Sequence, residues 1–111
     1  MPYIEVKTNV QVQDHKQFIR ELSSYSANIF NKPYVCVSLQ DNLSIIFNDS
    51  DDPAYIIGVT SIGIDAATKK KLSKELSEFL EKELKASSDR GYIFFYGPDG
   101  ANVGWKGSVC G

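Results

Sequence analysis

Ile4, Val6 and Thr8 alternate with Tyr3, Glu5 and Lys7, the two-residue period of a strand with one buried face. A helix is predicted next. Asp14 can cap it, and Phe18, Leu22, Tyr25 and Ile29 fall at i, i+4, i+7 and i+11, with Ile19 and Phe30 widening the stripe. Asn31 and Pro33 end it. The chain returns as a second strand over 34–39, and after Gln40-Asp41-Asn42 the strand pattern resumes over 43–47.

The same order is then written again, after the polar turn Asn48-Asp49-Ser50-Asp51-Asp52-Pro53. Residues 55–60 read as a strand with apolar positions on both faces. A second helix begins near Asp65 with Leu72, Leu76, Phe79, Leu80 and Leu84 as its buried stripe. Lys71–Glu75, Glu78–Lys82 and Glu81–Lys85 stand at i,i+4 on its exposed face, pairs worth only about 0.3 kcal/mol each. Residues 92–96 form a last strong strand, and Asp99-Gly100 a tight turn.

Two consecutive strand–helix–strand units predict an α+β fold: a four-stranded mixed sheet with two helices on one face. The strands at 55–60 and 92–96 are apolar on both faces, so the other face requires cover from outside the chain, and self-association supplies it most simply. No linker or composition break divides residues 1–111, which read as a single domain. A chain of 111 residues buries about 65% of the surface its unfolded form exposes, which leaves a thin core.

Twelve basic against fourteen acidic side chains leave a net charge of −2, with no field for a phosphate backbone, so nucleic acid is excluded as a first reading. No apolar run reaches the roughly 20 residues of a membrane span, and the opening residues do not form a signal-peptide core; a cytoplasmic protein is expected. The sequons at Asn42 and Asn48 therefore carry no glycan in this reading. Cys36 and Cys110 have no metal-ligand spacing and are read as free, half-buried thiols. The single histidine, His15, reads as a solvated residue at a helix start, and the Lys69-Lys70-Lys71 run as a solvated face, since acidic residues follow on the same helix. There is no zinc cluster, P-loop or dinucleotide fingerprint, so neither metal nor cofactor is expected.

One unusual group remains. Trimming of Met1 would leave Pro2 as a free secondary amine at the head of a strand among aromatic side chains. Burial disfavours its cation and a nearby lysine lowers its pKa further, so it can act as a neutral general base.

Pro2, Thr8-Asn9, Lys32-Pro33, Phe47 through Pro53, Ser61-Ile62-Gly63, Asp89-Arg90-Gly91-Tyr92-Ile93 and the segment Ala101-Asn102-Val103-Gly104-Trp105-Lys106-Gly107-Ser108 resemble, in order and over the whole length, the macrophage migration inhibitory factor (MIF) family. The resemblance implies the tautomerase fold, a homotrimer whose sheets line a central barrel, and a keto–enol tautomerase site at each subunit interface. Its substrates would be small aromatic 2-keto acids or enols, of the phenylpyruvate or dopachrome type, with no cofactor. Pro2 would be the catalytic base. Lys32 would bind the substrate carboxylate or steady enolate charge. Ile62 would donate its backbone N–H, Tyr92 would come from the adjacent subunit, and Val103 and Tyr34 would line the ring site.

The chain departs from the family at identifiable places. Phe94 stands where mammalian members have asparagine, removing a hydrogen-bonding group from the pocket. Ala54, Tyr55, Ile56 and Ile57 replace the Cys-x-x-Cys motif, so its thiol-oxidoreductase activity should be absent. Asn48-Asp49 replaces a glycine pair, and Cys110 a phenylalanine. The resemblance also carries an alternative of another class: a cytokine-like protein secreted by a non-classical route that acts on an immune receptor, its pocket vestigial.

Overall fold

A computed structural model describes residues 2–111. Strand β1 (Tyr3–Thr8) leads into helix α1 (His15–Phe30) and strand β2 (Cys36–Gln40); strand β3 (Tyr55–Thr60), helix α2 (Ala66–Leu84) and strand β4 (Gly91–Tyr96) repeat the order. The sheet runs β2-β1-β3-β4. β1 is parallel to β2 and β3 to β4, while the two units meet antiparallel at β1 and β3. This is the expected α+β arrangement, each crossover helix making one parallel pair.

The cap predicted at Asp14 forms, and Asp65, where the second helix was expected to begin, caps α2. The Asp14 carboxylate accepts from the Gln17 N–H at 3.0 Å and that of Asp65 from Thr68 at 2.8 Å, each satisfying an orphan donor of a first turn. Asn31 ends α1 in the left-handed conformation at φ 52°. Phe18 and Leu22 of α1 and Leu72, Leu76, Leu80 and Leu84 of α2 pack with Ile4, Val6, Tyr55, Ile57 and Val59 of the sheet. The smaller Ser26, rather than Tyr25, takes the buried place in the middle of α1. Tyr25 lies beside it, its ring 5.4 Å from Phe79 and its hydroxyl donating to the Glu75 carbonyl.

The opposite sheet face is open in the single chain. Tyr92, Phe94 and Tyr96 of β4 and Ile56 of β3 lie exposed on it, as the two-sided patterning of these strands requires.

Several expectations are corrected. The second strand spans only Cys36–Gln40: Tyr34 at φ 64° and Asn42 at φ 55° break the extended backbone on either side. Residues 43–47 are not a named strand, and only the isolated bridge between Phe47 and Ser50 forms there. The three charge pairs of α2 do not close, since among the described residues the ion pairs within 4.0 Å are Lys7–Glu5 and His15–Asp41. Both cysteines are free but exposed rather than half-buried. After the 3₁₀ turn at Gly100–Asn102 the chain adds a short hairpin, β5 (Gly104–Trp105) and β6 (Ser108–Val109), around Lys106 and Gly107, both at positive φ. Lys-Gly provides that turn without the Asn-Gly or Asp-Gly signal that would announce it. No helix is long and apolar enough to cross a membrane, within the described residues.

Candidate active site

Pro2 is fully buried, one step before β1, and its carbonyl accepts from the Cys36 N–H at 2.9 Å. One step beyond the paired residues Tyr3, Cys36 and Thr60 lie Pro2, Val35 and Ser61, so the start of β1 meets the entry to β2 and the exit of β3. Pro2, Ile4, Val6 and Thr8 are the buried alternation of β1, which turns the proline ring toward the helix side of the sheet.

A cavity of about 160 Å³ lies at this end of the sheet, lined by Phe30, Lys32, Ser61, Ile62, Gly63, Ile64 and Thr68. Lys32 reaches it because α1 ends one residue earlier, at the left-handed Asn31; Ile62 reaches it from the turn after β3, where Gly63 takes φ 70°. Lys32 is exposed and Ile62 half-buried, so a cationic group and an apolar wall share one small concavity. Ser61, given no role in the sequence beyond its place in the Ser61-Ile62-Gly63 motif, is buried in that lining, with no hydrogen-bond partner for its hydroxyl in the single chain. What sets it apart from the rest of that motif is its place across the sheet from Pro2, and register is not legible in one strand.

Tyr34 stands beside this region with its ring 5.1 Å from that of Trp105, docking the terminal hairpin against the entry to β2. Val103 is half-buried at the base of the hairpin, its carbonyl accepting from the Cys110 N–H at 2.9 Å. Tyr92 and Phe94 are elsewhere. They pair with Ile56 and Gly58, whereas Thr60, the partner of Tyr3, pairs with Tyr96. Tyr92 therefore lies four residues along β4, roughly 13 Å at the rise of a strand, from the end that carries Pro2. The single chain thus gathers Pro2, Lys32, Ile62 and Tyr34 at one end and holds Tyr92 and Phe94 apart on its open face.

His15 belongs to neither group. Its Nε2 lies 2.8 Å from Asp41 Oδ2, which also accepts from the Val12 N–H at 2.8 Å. The Val12 N–H first, and His15 with it, hold the Asp41 carboxyl below its ordinary value. A larger groove, about 680 Å³, runs between α1 and α2 along Arg20, Tyr25, Phe79 and Lys82, and no candidate residue lines it. Among the described residues no group of three or more His, Cys, Asp or Glu side chains could hold a metal ion.

Two β-α-β units on one mixed sheet, with proline at the head of the first strand, define the tautomerase-superfamily fold. The chain belongs to the macrophage migration inhibitory factor (MIF) family, whose model matches residues 1–111. It is 36% identical over 113 aligned positions to macrophage migration inhibitory factor of Mus musculus, covering 98% of both chains. It is 32% identical to the homolog of Trichinella spiralis over 98% of this chain and 99% of that one. Among solved structures, the homologue from Prochlorococcus marinus superposes with a TM-score of 0.92 at 32% identity, over 98% of this chain and 99% of that one.

Proposed function

We propose that this protein is a cofactor-independent keto–enol tautomerase whose catalytic base is the Pro2 amine, freed by removal of Met1. The observation that carries this reading is the burial of Pro2 at the sheet end that also holds the cavity of Lys32 and Ile62. Desolvation disfavours the protonated amine, and the cation of Lys32 at the same sheet end would disfavour it further, both in the direction a general base needs. In the enol-to-keto direction Pro2 takes the enol hydroxyl proton and returns a proton to the adjacent carbon; the keto-to-enol direction reverses these steps. Lys32 holds the substrate carboxylate or the developing enolate charge, the Ile62 N–H donates to the same carboxylate, and Tyr34 and Val103 bound the aromatic ring.

The open sheet face supports assembly as a homotrimer: a neighbour covering it brings its own Tyr92 and Phe94 to the Pro2 end of the next chain. One domain then contributes to two sites. Substrates of this pocket are small aromatic 2-keto acids or their enols, in the cytoplasm or after non-classical secretion.

Intact mass of the purified protein should lack Met1, since an amide nitrogen is not basic and retention of Met1 ends this mechanism. Pro2→Gly should lower phenylpyruvate turnover by about 100-fold, the scale of a general base, while native mass stays that of the parent trimer. Unchanged turnover removes Pro2 from the role. The second reading, a cytokine-like protein acting on an immune receptor, is supported by relatives named for inhibiting macrophage migration. Receptor binding that survives Pro2→Gly, with negligible turnover in the parent, would favour it.

A further inference from the structure

Arg90, in the 3₁₀ turn before β4, directs all three guanidinium nitrogens at one loop. Nε donates to the Pro53 carbonyl at 3.0 Å, Nη1 to Phe47 at 2.9 Å, and Nη2 to Ser50 at 3.1 Å and Asp52 at 2.9 Å. The loop itself is closed by reciprocal hydrogen bonds between Phe47 and Ser50, with Asn48 at φ 51° and Asp49 at φ 60°. Two successive left-handed residues make the tight turn in which asparagine and aspartate are tolerated beside glycine. The Asn48-Asp49 pair thus keeps the backbone path that a glycine pair would take.

The clamp fixes one side chain in particular. Arg90 Cζ stands 5.5 Å from the centre of the Phe47 ring, that ring stands 5.3 Å from Tyr92, and Tyr92 stands 5.8 Å from Phe94. The rings are tilted by 44° and 43°, within the spacing at which aromatic pairs attract. Tyr92 is 60% exposed on an open face, yet it has an aromatic neighbour on both sides before any other molecule arrives.

We infer that Phe47 is a specificity-determining residue: held by Arg90, it joins Tyr92 and Phe94 in a pre-set three-ring surface that selects an aryl group over an alkyl group at the neighbouring chain's site. The inference rests on the proposal that Tyr92 completes that site. Its physical content is preorganisation, because a ring that need not be ordered when substrate binds costs the complex less. Arg90 acts through Phe47 and is a positioning residue. Lysine cannot replace it, since one ammonium does not present the planar fork that serves four carbonyls.

The test uses the Met1-free assembled protein and two independent readouts: NMR titration with 3-phenylpropanoate, and turnover of phenylpyruvate beside a 2-oxo acid bearing an unbranched alkyl chain. Phe47→Ala and Arg90→Lys should each weaken 3-phenylpropanoate by about 2- to 10-fold, the scale of one aromatic pair. KM for phenylpyruvate should rise by the same factor with kcat within about twofold, and the alkyl substrate should be far less affected. Phe47→Tyr, which keeps the ring, should recover most of the affinity. Equal losses for aryl and alkyl compounds, no loss for either, or a parent that does not bind 3-phenylpropanoate overturns the inference. If native mass shows that Phe47→Ala does not assemble, Phe47→Leu, which keeps apolar bulk without a ring, decides by the same criterion. A parent that binds 3-phenylpropanoate without turning over phenylpyruvate refutes the tautomerase proposal, while the titration still decides on Phe47.

Discussion

Gly91→Ala adds one methyl group at the first residue of β4, where Gly91 pairs with Tyr55 across the parallel ladder. The backbone there is extended, φ −157° and ψ 145°, which alanine adopts as readily as glycine. The obstacle is space. A Cβ on Gly91 would stand 2.2, 2.3 and 2.4 Å from three carbons of the Tyr55 ring. Carbon atoms rest at about 3.5 Å or more, so the ring would have to retreat by about 1.3 Å. Tyr55 is 0% exposed and packed among Leu80, Leu84 and the rest of the core, with its hydroxyl 3.5 Å from Ser77. Such a core accommodates a methyl group by strain, at about 1–3 kcal/mol, or by expelling the ring, at about 3–5 kcal/mol. We expect a loss of about 3 kcal/mol, or about 12 °C in melting temperature for a domain of this size.

Denaturant unfolding at one fixed chain concentration measures it, since the proposed trimer would make the midpoint depend on concentration. Tyr55→Leu removes the obstructing ring, so Gly91→Ala in that background should cost less than about 1 kcal/mol, a coupling of about 2 kcal/mol in the double-mutant cycle. A Gly91→Ala variant within 0.5 kcal/mol of the parent, on the scale of about 0.5 kcal/mol expected for a neutral surface change, would refute the reasoning. Additivity with Tyr55→Leu would refute it as well.

Asn9 joins β1 to the loop before β3: its Nδ2 donates to the Asp51 and Asp52 carbonyls, and its Oδ1 accepts from the N–H of fully buried Ala54 at 2.9 Å. Asn9→Ala should cost about 1–2 kcal/mol and speed hydrogen exchange at Ala54, whose donor loses its partner, whereas Asn9→Asp keeps that acceptor and should protect the same amide. Asp41 titrates below its ordinary value in the folded chain, chiefly through the Val12 N–H and also through His15. A depressed folded-state pKa contributes stability above the unfolded value of 3.8 that is lost as pH falls through the folded one. Asp41→Asn should therefore be less stable than the parent near neutral pH, and unfolding midpoints measured down the acid limb should converge below 3.8. A gap that stays constant across that range would contradict the assignment.

Much of this fold was legible because periodicity and capping are local. The alternation of Ile4, Val6 and Thr8, the leucines of α2, the cap at Asp14 and the helix start near Asp65 each concern residues within four or so positions of one another. The uncovered face was legible for the same reason, from strands apolar on both sides. The site was half legible: Lys32 and Ile62 do share a cavity, but their joint selection came from a family resemblance, and no spacing in the chain announces it. The interruptions at Tyr34 and Asn42 were missed because extended propensity over 34–47 gave no sign of left-handed backbone in a tyrosine.

The order of the main strands and helices, the faces they bury and the apolar character of the open face were determined by the sequence alone, because each depends on a pattern a few residues long. Tertiary structure decided the rest. Gly91 is quoted in the sequence as a member of a motif, and only the Tyr55 ring lying over it shows why a side chain is excluded there. His15 reaches Asp41 across 26 residues, Arg90 reaches Phe47 across 43, and Asn9 reaches Ala54 across 45. Contacts of that separation follow from register and chain path, which exist only once the sheet has formed.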